Sequence, residues 1–233
     1  MQDVLFSDWG RVDYKTAWDR QEGLLREGLE IKGLRRNGES AAQTRHHLVF
    51  VEHPHVYTLG KSGKQEHVLI DEQERTEKQV EFFNTNRGGD ITYHGPGQLV
   101  AYPVLDLELF YTDLGRYLRS LEEVIIRTMA EYGLKGDRSP GETGVWLDPD
   151  IKGRERKICA MGIRCSRWIT MHGLAFNVNS DLQYFDYIIP CGIQNKQVTS
   201  LQKELGKPVD ETEVKEKVKR NFEEVFGVRL INL

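Results

Sequence analysis

Three features of this chain carry residue types suited to chemistry: a cysteine between proline and glycine, a lysine heading an apolar run, and a glycine-rich stretch. Pro190-Cys191-Gly192 sets a thiol in a turn, where the sulfur can face a cleft instead of the core. A cysteine thiolate is a strong nucleophile near neutral pH and forms thioesters of high transfer potential. The bland alternative is a buried, inert cysteine, because free cysteine is among the most buried residue types. Cys159 and Cys165 lie inside strand-like runs and take that bland reading. Lys157 precedes Ile158-Cys159-Ala160-Met161-Gly162-Ile163, so it is either the solvated end of a strand or an ammonium aimed at a pocket. Beside a thiol it would favour the thiolate by its charge and exchange protons as the amine. Nothing in the spacing alone brings Lys157 and Cys191 together.

The glycine-rich stretch is Arg87-Gly88-Gly89-Asp90-Ile91-Thr92-Tyr93-His94-Gly95-Pro96-Gly97-Gln98. Glycines let backbone approach a ligand closely and supply unusual dihedrals. Arg87, Thr92, Tyr93 and His94 would decorate such a wall; a polar surface turn is the plainer reading. A thiol in a turn, a strand-borne lysine and a glycine-rich wall are the parts needed to move an acyl group through a thioester.

The elements that must position these residues are legible in outline. Tyr14, Trp18, Leu25 and Leu29 predict a helix from Tyr14 to Arg36, ended by Asn37-Gly38 and weakened by Gly23 and Gly28. Leu48 to Val51 reads as a buried strand, with Val56 to Gly60 as its continuation after Pro54. Residues 61–79 are polar and charged, an exposed excursion. Val80 to Phe83 and Leu99 to Tyr102 read as strands, the second stopped by Pro103. A stripe from Leu114 through Met129 predicts a helix over Asp113 to Tyr132. Gly144 to Leu147, Ile158 to Ile163 and Ile169 to Asn177 read as strands, the first two joined by a charged hairpin loop. A last helix starts near Asp210, where Asp210 and Glu213 fit a capping box, and buries Val214, Val218, Phe222 and Val225. Val228 to Ile231 closes the sheet. Central strands with helices before, between and after predict an α+β fold: a mixed β-sheet with flanking helices in one domain over residues 1–233.

Composition sets the limits. With 233 residues, 39% hydrophobic and 29% charged, the chain has ample material for a core. Its net charge of −4 gives no global field for nucleic acid. An acidic partner would need a local basic patch, either Arg35, Arg36 and Arg45 or Lys152, Arg154, Arg156 and Lys157. No apolar run approaches the roughly 20 residues of a membrane span, and Met1-Gln2-Asp3-Val4 does not open a signal peptide. Three cysteines match no disulfide scaffold or zinc spacing, which predicts a reducing, cytoplasmic setting.

Several motifs fail. Gly60-Lys61-Ser62 echoes a P-loop, but His55 stands where its first glycine is required. His46, His47, His53 and His55 look like a metal cluster, yet Pro54 prevents simple helical presentation, and no metal site is expected. No G-x-S-x-G elbow is present.

Read together, the blocks Glu52 to Gly60, Arg87 to Pro103, Gly144-Val145-Trp146, Arg156 to Gly162, His172-Gly173-Leu174-Ala175-Phe176-Asn177 and Pro190-Cys191-Gly192-Ile193 resemble the lipoyl(octanoyl) transferase family of lipoate biosynthesis. The resemblance spans nearly the whole chain. It implies a fold like the biotin and lipoate protein ligases. It also implies an acyltransferase reaction, in which octanoyl passes from acyl carrier protein to a lysine of an apo lipoyl domain. By position, Cys191 would be the acyl-thioester nucleophile and Lys157 its acid/base partner. Arg87, Gly88, Gly89, Asp90, Ile91, Thr92, Tyr93 and His94, with Ala160, Met161, Gly162, Gly173, Leu174 and Ala175, would bind the acyl group. Met161 departs from the smaller residue common in relatives, which bears on chain length.

The partners implied are acyl carrier protein, the lipoyl domains of 2-oxoacid dehydrogenase E2 subunits and the glycine cleavage H protein, with no nucleic acid or membrane and a monomeric enzyme. Thioester to amide is downhill, so no ATP, metal or other cofactor is expected. Three rivals stand beside this reading: an ATP-dependent lipoate or biotin protein ligase, an octanoyl or lipoyl amidotransferase of the same fold, and a non-catalytic module that binds acyl carrier protein or lipid.

Overall fold

A computed structural model of the chain describes residues 1–189 and 197–233. Cys191, with Pro190, Gly192 and Ile193, lies outside the described residues.

The chain begins with a strand that the apolar pattern does not reveal, Gln2–Arg11 (β1). Only Val4 and Phe6 of it are buried, among Asp3, Ser7 and Asp8, so its alternation is short and diluted. Asp13 then caps Tyr14–Arg36 (α1) by accepting from the Thr16 N–H. The helix runs through Gly23 and Gly28; a side chain at Gly28 would strike Ile169, so this glycine lets the helix lie close on the sheet. His46–Glu52 (β2) follows, and then Val56–Leu59 (β3). Here the structure departs from the sequence expectation: β3 does not extend β2 but starts a second, small sheet. In it β3 lies between Glu81–Asn84 (β4) and Ile91–His94 (β5), parallel to the first and antiparallel to the second. Within the polar excursion, Glu72–Glu77 forms a one-and-a-half-turn helix (α2) with a reciprocal Asp71–Glu74 capping box.

Gln98–Val104 (β6) continues through Pro103, which was expected to stop it. The ladder from β6 to its later neighbour Ile169–Asn177 ends at Ala101, so Pro103 has no partner on that side that needs its missing N–H. Leu114–Ala130 (α3) is capped by Asp113. Val145–Leu147 (β7) and Arg156–Ser166 (β8) form the expected hairpin, and Ile169–Asn177 (β9) returns antiparallel to β8. Gln197–Val198 (β10) runs parallel to the start of β8. Leu201–Leu205 (α4) leads to Glu211–Phe226 (α5) and Val228–Asn232 (β11), which pairs in parallel with β1. Asp210 caps α5 by accepting from the Thr212 and Glu213 N–H groups, while the Glu213 carboxylate pairs with Lys217.

Among the described residues the main sheet has the order β10-β8-β9-β6-β2-β1-β11, with β7 beside β8. Every residue of β6 and β9 is buried, because both faces are covered. On one face, α3 and α5 press Leu121, Val124, Ile125, Val218 and Phe222 onto Phe6, Phe50, Ile158 and Phe176. On the other, α1 covers Val49, Val51, Val100, Ala175, Val104 and Met171. The expected mixed sheet with flanking helices is therefore the observed architecture. No helix among the described residues is long and apolar enough to cross a membrane.

Candidate active site

The pairing of β8 with β9 brings two sequence blocks into direct register. Ala160 faces Ala175, Met161 faces Leu174, and Gly162 faces Gly173. Strand alternation sends Met161 and Leu174 into the core beneath α3 and α5, although both residues border the cavity. The bulk of Met161 therefore belongs to the main core. The small pairs Ala160–Ala175 and Gly162–Gly173 leave a smooth, apolar floor for a cavity bordered by these strands. A side chain at Gly162 would come within 2.7 Å of the Gly88 carbonyl, so only glycine permits the glycine-rich loop to close over β8 at that point.

The glycine-rich segment forms the wall across from this floor. Arg87, Gly89, Asp90, Ile91, Thr92 and His94 all line the cavity. Gly88 stands behind the lining and donates its N–H to the Ile163 carbonyl at 2.8 Å, tying the loop to β8. Tyr93 turns the other way: it is fully buried in the small sheet's core, its hydroxyl 2.7 Å from His55 Nδ1. Arg87 is 7% exposed, and its guanidinium donates to the Thr58 carbonyl and hydroxyl and to the Gly88 carbonyl. Asp90 accepts from its neighbour's N–H and contacts His67 Nδ1 at 2.6 Å.

Lys157 lines the same cavity, half-buried, with its Nζ 4.5 Å from the centre of the Trp146 ring. Its backbone carbonyl accepts from Thr199 N–H at 3.0 Å. A chain of hydrogen bonds leads to that point from the glycine-rich wall. The Gln98 amide nitrogen donates to the Tyr93 carbonyl and to Asn177 Oδ1, so Gln98 Oε1 must accept, and His94 carries its proton on Nδ1. Asn177 Nδ2 in turn donates to the Thr199 carbonyl. Strands β5, β6 and β9 are thus locked to the backbone that flanks Lys157.

Tyr14, Tyr102, Val100, Thr143, His172, Phe185 and Val198 also line the cavity and were not among the expected site residues. His172 opens one of the blocks that carry the family resemblance, which implied no role for it. It has a left-handed backbone (φ 58) inside β9, its N–H donates to Gln21 of α1, and its Nε2 lies 2.7 Å from Asn86 Oδ1. Asn86 Nδ2 donates to Glu22, so the Asn86 oxygen accepts and His172 carries its proton on Nε2.

Three of the four histidines that resemble a metal cluster have separate partners. His46 Nδ1 accepts from the Asp106 N–H, His53 bridges the Val12 carbonyl and the Tyr102 hydroxyl, and His55 meets Tyr93. Burial holds His46 and His53 down at about 4 and His172 at about 3, and drives His94 well below the usual range. These rings stay neutral in the folded protein, whereas the unfolded chain protonates near 6.5. The stabilisation is therefore fully present above about pH 6.5 and is lost as the pH falls toward 4, because only the unfolded state takes up the protons. Each ring contributes a slope of up to about 1.4 kcal/mol per pH unit in that window. The urea midpoint should drop steeply between pH 7 and pH 5; a flat profile there would contradict neutral burial.

Of the basic residues considered for docking, Arg156 is committed to Asp148 and to both oxygens of Glu204. Arg35, Arg36, Arg45, Lys152 and Arg154 are exposed.

A family model for the lipoyl protein ligase A/B catalytic domain matches residues 13–223. The chain belongs to that family. Among its relatives, an octanoyltransferase of Christiangramia forsetii is 56% identical over 230 residues, covering 98% of each chain. An octanoyltransferase of Flavobacterium psychrophilum is 55% identical over 229 residues, again covering 98% of each. Solved structures share the fold at low identity. A lipoate-protein ligase A bound with ATP superposes with a TM-score of 0.70 at 15% identity, covering all of this chain and 89% of that one. A bi-partite lipoate protein ligase of Thermoplasma acidophilum gives 0.69 at 17%, covering all of this chain and 88% of that one. The α+β architecture is therefore that of the lipoate protein ligases in this family, as the resemblance implied.

Proposed function

We propose that this family member is an octanoyltransferase that takes octanoyl from acyl carrier protein and delivers it to a lysine of an apo lipoyl domain through a Cys191 thioester. The observation that carries the reading is that Lys157 lines a cavity floored by the Ala160–Ala175 and Gly162–Gly173 pairs. An unbranched alkyl chain fits along such a floor, where small residues leave room and hydrophobic burial supplies about 0.8 kcal/mol per methylene. The octanoyltransferase name of relatives above half identity supports the choice of acyl group.

In this mechanism Lys157 as the amine takes the Cys191 proton. The thiolate attacks the carrier thioester carbonyl, the tetrahedral intermediate expels the carrier thiolate, and the Lys157 ammonium returns a proton to it. In the second half, the neutral amine of the acceptor lysine attacks the acyl-enzyme. Lys157 accepts a proton from the attacking nitrogen and gives it to the departing Cys191 sulfur. Neither half consumes ATP, since the thioester supplies the driving force. Arg87, Gly89, Asp90, Ile91, Thr92 and His94 form one wall of the acyl site, and Gly88 holds that wall to β8.

The reading is tested by incubating the protein with octanoyl-acyl carrier protein and an apo lipoyl domain in the absence of ATP. Octanoyl amide should appear on one lysine of the lipoyl domain, with velocity patterns of parallel lines. Strict dependence on ATP and free octanoate would replace the transferase by a ligase. Binding of the octanoyl carrier without any amide would leave only a binding module. Amide formed from an octanoyl-lipoyl protein but not from the carrier would point to an amidotransferase.

A further inference from the structure

We infer that Trp146 is a positioning residue for the acyl transfer: its indole face receives the Lys157 ammonium during each proton transfer and fixes where Nζ stands. The inference rests on the acid/base role proposed for Lys157. Gly144-Val145-Trp146 is one of the blocks that mark the sequence, yet nothing in the mechanism so far uses its tryptophan.

Three observations converge on this ring. Trp146 and Lys157 are direct partners across the β7–β8 ladder, so their side chains leave the sheet on the same face. The lysine Nζ lies 4.5 Å from the ring centre, within the range of a cation–π contact. The ring is 2% exposed, while Val145 and Leu147 on either side point into the main core. A largely desolvated aromatic face is where such a contact is strongest.

The backbone that carries the ring is tied down on both sides. The Trp146 N–H and carbonyl form a two-way bridge with Asp137 at 2.9 and 2.8 Å. Two residues earlier, the Gly144 N–H donates to Glu122 Oε1 at 3.0 Å. Glu122 is a fully buried carboxylate whose other oxygen accepts from Arg119 at 2.7 Å and Arg138 at 3.1 Å. Gly144 has φ +103, and a side chain there would meet the Cys159 carbonyl at 2.4 Å and Lys157 Cδ at 3.6 Å. The glycine therefore lets β7 come close enough for the ring to lie against the lysine.

The contact distinguishes between the two forms of Lys157. A ring quadrupole attracts an ammonium strongly and a neutral amine weakly. Lys157 is an ammonium when the sulfur is thiolate and when the tetrahedral oxyanion is present, so the ring acts most in those states. An interaction stronger in the transition state than in the resting state raises the rate of the chemical step.

Stepwise fluorination of the indole at position 146 weakens the quadrupole while keeping the ring's shape. The rate of acyl-enzyme formation from octanoyl-acyl carrier protein should fall monotonically with the number of fluorines, to about one-tenth for the fully fluorinated ring. KM for the carrier and the thermal midpoint should stay near wild type. In a Lys157→Ala background, fluorination should change nothing. Trp146→Phe should retain more activity than Trp146→Leu. A flat fluorine series with Lys157→Ala still severely impaired would overturn the role of the ring and leave that of the lysine standing. A fluorine effect that persists in Lys157→Ala would equally overturn it. Undiminished acylation in Lys157→Ala would remove the acid/base assignment and this inference with it.

Discussion

Cys191→Ser is expected to lose octanoyl transfer by at least about a thousandfold and to form no hydroxylamine-labile octanoyl adduct. A thiol ionises within reach of a neighbouring amine, whereas a serine hydroxyl is weak at its own pKa and has no comparable thiolate-like form at neutral pH. The deficit falls on the chemical step, so carrier binding should survive: the substitution leaves the proposed acyl site, the cavity floored by Ala160, Gly162, Gly173 and Ala175, unchanged. Intact-protein mass after brief mixing with octanoyl-acyl carrier protein, without ATP, reads the adduct in wild type and variant side by side. Transfer at undiminished rate in the serine variant would remove Cys191 as nucleophile and return the chain to a direct transfer or an adenylate route.

What the sequence made visible follows from the range of the interactions involved. Helix α1 and strand β9 appear with the same ends in pattern and in structure, because a cap, a stripe or an apolar run is written locally. Strand β1 is not visible, since its pairing with β2 and β11 supplies what its diluted alternation lacks. The placement of β3 in its own sheet depends on partners that arrive 25 residues later and more, at Glu81 and His94.

The candidate site divides in the same way. Ala160–Gly162 and Gly173–Ala175 were legible as blocks, but their one-to-one register is a property of the β8–β9 ladder. Tyr14 reads as one more apolar residue of a helix stripe and only the fold turns it toward the cavity, stacked on His94 at 5.9 Å. Gly88 and Tyr93 share a segment with true lining residues, and strand alternation and a backbone tie place them behind it. The hydrogen-bonded path from His94 to Thr199 joins residues more than a hundred positions apart, with no local trace.

Lys157 offers the sharpest division of the two half-reactions. Lys157→Ala should slow both by roughly a hundred- to ten-thousandfold, the span typical of a lost general acid/base. Lys157→Arg should separate them. A guanidinium keeps the positive charge that favours the thiolate, but it does not release or accept protons in the working range. Acylation of Cys191 by octanoyl-acyl carrier protein begins with thiol ionisation, which the charge still assists, so Lys157→Arg should retain more of this step than Lys157→Ala. Attack by the acceptor lysine requires a base for the nitrogen proton, and the arginine supplies none. The octanoyl adduct should therefore accumulate in Lys157→Arg and decay slowly on addition of apo lipoyl domain. Single-turnover mass kinetics measure the two steps separately. Rapid decay in Lys157→Arg would mean that the base for the second half is another group, and among the residues bordering the cavity His94 and His172 are held neutral by burial. Equal loss of both steps in the arginine and alanine variants would instead assign Lys157 a purely geometric part, because a retained charge would then have made no difference to ionisation of the thiol.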